Sequence, residues 1–101
     1  MDRVATFRTF IAKSPQDPFP RYGLAMELKS RGDLEGAHAA FSELMTGFPD
    51  YVPTYLMAGN LLVAMGRPAD AAAAYQQGVE AATRKGDLHA KKELEAALAE
   101  L

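Results

Sequence analysis

Residues 32–66 read GDLEGAHAAFSELMTGFPDYVPTYLMAGNLLVAMG, and this stretch is one full period of an internal repeat. Displaced by 34 positions, the chain falls on itself: Gly32-Asp33-Leu34 lands on Gly66-Arg67-Pro68, and Ala37 and Phe41 land on Ala71 and Tyr75. Displaced the other way, Phe41, Leu44 and Pro49 land on Phe7, Phe10 and Pro15. Phe7, Phe41 and Tyr75 thus form an aromatic series at constant spacing. A helix–turn–helix unit of this length cannot bury its apolar face alone, so copies stack and share a core.

Working outward from that stretch, the spacing of apolar residues predicts six helices and no strand, an all-α chain. The first covers residues 3–13, with Val4, Phe7, Phe10 and Ile11 on one side, and Ser14-Pro15 ends it. Asp17-Pro18 opens the second, the aspartate as N-cap and the proline in the first turn. It carries Tyr22, Leu24, Ala25 and Leu28 and stops at Ser30-Arg31-Gly32, with glycine in the C-terminal capping place. The third runs from about Leu34, behind an Asp33 cap, to about Thr46. The fourth spans about Pro53 to Met65 and the fifth about Pro68 to Lys85. The sixth, about Leu88 to Glu100, places Leu94, Ala97, Leu98 and Leu101 on one stripe. Connections of a few residues predict antiparallel neighbours.

The totals narrow the classes. At 101 residues, 49% hydrophobic and 24% charged, the chain is sized for one domain and composed like a globular one. A net charge of −2 gives no pull toward nucleic acid or an anionic membrane. No apolar run approaches the roughly 20 residues that span a bilayer, and Arg8 and Lys13 interrupt the first segment, unlike a secretory signal. Without cysteine there are no disulfides or thiolate sites, in keeping with a reducing cytosol; a cytoplasmic location is expected.

The pattern resembles the tetratricopeptide repeat family, whose 34-residue unit reads W-x2-L-G-x2-Y, then A-x3-F, then P. One copy here has Arg21, Leu24-Ala25, Leu28, Ala37, Phe41 and Pro49 in those places. The next has Tyr55, Ala58-Gly59, Leu62, Ala71, Tyr75 and Thr83. The resemblance implies a right-handed superhelical stack of helix hairpins: a half repeat at 1–17, repeats at 18–51 and 52–85, and a capping helix at 86–101. Arg21 stands where the family has a large aromatic. Thr83 stands where it has the closing proline, so the fifth helix is expected to run a turn longer.

In that family the first helix of each pair lines a concave groove for a partner peptide. Carried onto this chain, the groove residues would be Phe19, Tyr22, Met26 and Lys29, then Leu56, Asn60 and Val63, with Ala90, Lys91 and Leu94 of the cap closing one end. A subgroup that grips a carboxylate terminus uses lysine and asparagine where this chain has Tyr22 and Met26, so that clamp is not expected. The competing reading of the apolar members is that they pack as core.

Other chemistries find little support in the residues. His38 and His89 lie on different helices without converging donors, so they read as surface residues and not as metal ligands. Ser14, Ser30 and Ser42 have no base at motif spacing, and no Gly-rich phosphate loop occurs. The basic corner Arg84, Lys85, Lys91 and Lys92 is interleaved with Asp87, Glu93 and Glu95, the pattern of a solvated face. The expected function is a non-catalytic interaction module without cofactor, binding a peptide or helix of another protein. The alternative is a structural role by self-association, because an exposed end of a repeat array invites further stacking.

Overall fold

The computed structural model describes residues 2–101 and contains, among them, six helices and no strand. These are α1 (Arg3–Lys13), α2 (Pro18–Ser30), α3 (Leu34–Gly47), α4 (Pro53–Ala64), α5 (Pro68–Lys85) and α6 (Leu88–Ala99). Each helix packs on the next one within two compact units, Met1–Phe48 and Pro49–Leu101.

Local chemistry sets the boundaries. Asp17 caps α2 by accepting a hydrogen bond from the Phe19 amide at 3.0 Å, and Asp33 caps α3 by accepting from the Gly36 amide at 2.9 Å. Asp2 and Asp87 do the same for α1 and α6, two caps the sequence reading did not assign. Gly32 and Gly66, one period apart, adopt φ of +81° and +73°. Only glycine takes that left-handed geometry without a steric penalty, which is why both hairpin turns use it. Position 83 offers no proline, and α5 continues to Lys85, a turn beyond the place equivalent to the end of α3.

In the first unit the core is Leu24 and Ala25 of α2 against Ala37, Phe41 and Leu44 of α3. The Phe41 ring also receives Tyr22 edge-on, centroids 6.4 Å apart. The apolar stripe expected on α1 is only partly covered. Val4, Phe7 and Ile11 are half-buried, Phe10 is 49% exposed, and α1 contributes no fully buried residue.

In the second unit Tyr55, Ala58, Leu61 and Leu62 of α4 meet Ala71, Ala74, Tyr75, Ala81 and Ala82 of α5. Ala71 is fully buried, like its counterpart Ala37, as the close approach of paired helices requires. Gly59 lies under the Tyr75 ring so closely that a methyl group there would overlap it. On α6, Leu94 is 1% exposed, Ala97 and Leu98 are half-buried, and Leu101 lies beyond the helix and is 49% exposed. Capping of this unit therefore rests on Leu94 more than on the whole expected stripe.

Arg21 explains how the first repeat manages without its aromatic. Tyr55, one period later, donates its hydroxyl to the Pro49 carbonyl at 2.5 Å; Arg21 donates from Nη2 to the Pro15 carbonyl, the equivalent acceptor, at 3.4 Å. Its guanidinium also lies over the Phe48 ring, 5.7 Å from the centroid, where a cation is attracted by the π face. Two different side chains thus tie down equivalent turns one period apart.

Candidate functional site

The first unit has an open cleft of about 370 Å³ whose lining includes Phe7 of α1 and Phe19, Tyr22 and Met26 of α2. Phe19, in the first turn of α2, is 62% exposed. Tyr22 and Met26 follow at helical spacing and are half-buried. Lys29, also expected on this face, is half-buried but does not line the cleft. The rim carries Arg3 and Glu27. Glu27 is held by Arg31 Nε at 3.1 Å and by Arg3 at 3.7 Å. Arg31 in turn donates to Asp2 Oδ1 at 2.6 Å, and that hydrogen bond holds the Asp2 carboxyl below the usual carboxylate range.

The second unit has its own cleft of about 330 Å³, lined by Asn60 and Val63 of α4, Tyr75 of α5, Ala97 of α6, and Glu100 and Leu101. Tyr75 donates its hydroxyl to Asn60 Oδ1 at 2.6 Å, which fixes the amide with its Nδ2 free to donate. Burial pushes the Tyr75 hydroxyl up, with the Glu100 charge adding to it, so the phenol stays the neutral donor. Leu56 is half-buried one turn before Asn60.

Of the expected groove residues, Phe19, Tyr22 and Met26 are thus brought together in one cleft, and Asn60 and Val63 in another. Ala90 and Lys91 of α6 are half-buried and line neither cleft. Leu94 is a correction. It is core, pressed against Gly78 of α5, because the small residue there lets α6 seat its leucine deeply. Glu100 and the α1 residues Arg3 and Phe7 were not anticipated as lining residues. They come from elements outside the first helix of each pair, which a repeat alignment does not single out.

The remaining candidates are in plain surroundings. His89 is exposed with Nε2 3.1 Å from Glu93 Oε1, whereas His38, expected at the surface, is half-buried. Arg84 in the basic corner pairs with Asp50 at 3.0 Å. Among the described residues no group of three histidine, cysteine, aspartate or glutamate side chains is placed to hold a metal ion. No helix among them is long and apolar enough to cross a membrane.

The tetratricopeptide repeat family model matches residues 28–93. Two solved structures of a tetratricopeptide repeat domain protein from Salinibacter ruber are similar to this chain. The crystal structure is 39% identical, with a TM-score of 0.77, covering 83% of this chain and 93% of that one. The solution NMR structure is 40% identical, with a TM-score of 0.81, covering 85% of this chain and 87% of that one. No curated protein matches.

Proposed function

The chain belongs to the tetratricopeptide repeat family, and from that premise we propose that it is a non-catalytic interaction module whose α2 and α4 faces receive a peptide or helical segment of another protein. The family serves in general as a protein-interaction scaffold. The observation that carries the reading is the α2 face, where an exposed Phe19 adjoins Tyr22 and Met26 over an open apolar cleft. Aromatic and methionine side chains supply large, adaptable contact area for a docking segment. On α4, Asn60 offers an oriented amide donor able to bond a peptide backbone.

The test is capture of a partner from the source lysate by the wild type, Phe19→Glu, Leu56→Glu and a Lys92→Glu control. Phe19→Glu places a carboxylate at an exposed first-turn position, where the helix dipole favours it, so the fold is kept. The expected result is loss of a specifically captured protein in the first two variants and its retention in the control. Retention by both groove variants overturns the assignment of these faces.

A further inference from the structure

The two clefts differ in how their carboxylates are balanced. In the first unit, Glu27 is already neutralised by Arg31 and Arg3. In the second, Glu100 is the only charged side chain of the lining and has no ion pair among the described residues. Beside it, Asn60 Oδ1 is occupied by the Tyr75 hydroxyl, while Asn60 Nδ2 has no hydrogen-bond partner among the described residues. Val63, 45% exposed, and Ala97 give the cleft apolar walls next to that unbalanced charge.

We infer that this cleft takes a lysine or arginine side chain of an extended partner segment, its aliphatic stem along Val63 and Ala97 and its cationic head at Glu100, with Asn60 Nδ2 donating to a backbone carbonyl of the segment. Only a long basic side chain answers both kinds of wall, because its stem is apolar and its head is cationic. An acidic side chain would meet Glu100 as a like charge. An apolar one would leave the carboxylate desolvated without a counter-charge. The inference rests on the docking reading above and narrows it to a partner chemistry.

The experiment titrates isotopically labelled protein with three capped pentapeptides, alanine throughout except for a central lysine, norleucine or glutamate, and follows chemical shifts. The lysine peptide should move the Asn60 side-chain amide and the Glu100 resonances saturably. The norleucine peptide should bind at least about ten-fold more weakly, the loss expected of one charge-assisted contact, and the glutamate peptide not at all. Glu100→Gln should reduce the lysine peptide to the norleucine level, and Glu95→Gln on α6 should leave it unchanged. Equal affinity for lysine and norleucine, or lysine binding that survives Glu100→Gln, overturns the inference. Shifts confined to α2 residues overturn it while leaving the docking reading in place; silence of both clefts toward every peptide overturns both.

Discussion

Two tyrosines show how single side chains hold the hairpins. Tyr55 and Tyr75 bury their rings and spend their hydroxyls on the Pro49 carbonyl and on Asn60. Burial pushes both hydroxyls up, more than the nearby Arg84 lowers that of Tyr55. A raised folded value means the fold favours the protonated phenol. That stability is complete below the unfolded value, about pH 10, and is lost as pH rises through the folded values. Alkaline titration of the melt should show this loss, and Tyr55→Phe should lessen it while costing about 1 kcal/mol for the hydrogen bond. An unchanged alkaline profile in Tyr55→Phe would place the titration elsewhere. At the fully buried Ala71, Leu substitution should overpack the α4–α5 contact and cost about 1–3 kcal/mol in chemical denaturation. A neutral Ala71→Leu would break the pairing of this position with Ala37.

Among the elements, α6 has the most divided role. Its inner face places Leu94 against Gly78, and Leu94→Ala should cost about 2–5 kcal/mol, measured by denaturation, because it leaves a cavity that the helix cannot collapse into. Its outer face is charged where inner helices are small or apolar. Lys92 and Glu93 fall, at the repeat spacing, on Ala58 and Gly59 of α4 and on Leu24 and Ala25 of α2, all of them buried. Charges at those places refuse the close approach of another helix. The double substitution Lys92→Leu with Glu93→Ala should therefore raise self-association above that of the wild type, read by sedimentation over a concentration series. No change in mass would mean that these two charges are not what keeps the face open to water.

At the scale of the molecule, the proposed docking role has to work with a nearly balanced charge. Net charge is only −2 and mean hydropathy −0.15, so long-range electrostatics does little to select a partner and short-range complementarity must do it. Met26→Glu tests this on the whole protein. A charge at the half-buried Met26 should abolish partner capture while lowering stability by about 1 kcal/mol, the centre of the range for point substitutions. Denaturation and capture are measured on the same preparation. A variant that fails to fold would show Met26 to be core, and one that folds and still captures its partner would remove α2 from the docking surface.

The sequence by itself determined the period, the six helices and nearly all their ends. Those features depend on local chemistry: aspartates that accept from first-turn amides, prolines that cannot continue a helix, and glycines at positive φ. It also placed Ala37 and Ala71 at equivalent positions of the repeat. Tertiary structure alone decided which periodic apolar residues are core and which stay open. Leu94 and Phe19 both lie on apolar stripes, yet one is packed against Gly78 and the other is left 62% exposed. It also decided that Arg21 replaces an aromatic by bonding the equivalent carbonyl, and that Glu100, among the described residues, lacks the counter-charges Glu27 has. The burial of Leu94 depends on a residue of another helix, and periodicity within one helix carries no information about what lies opposite it.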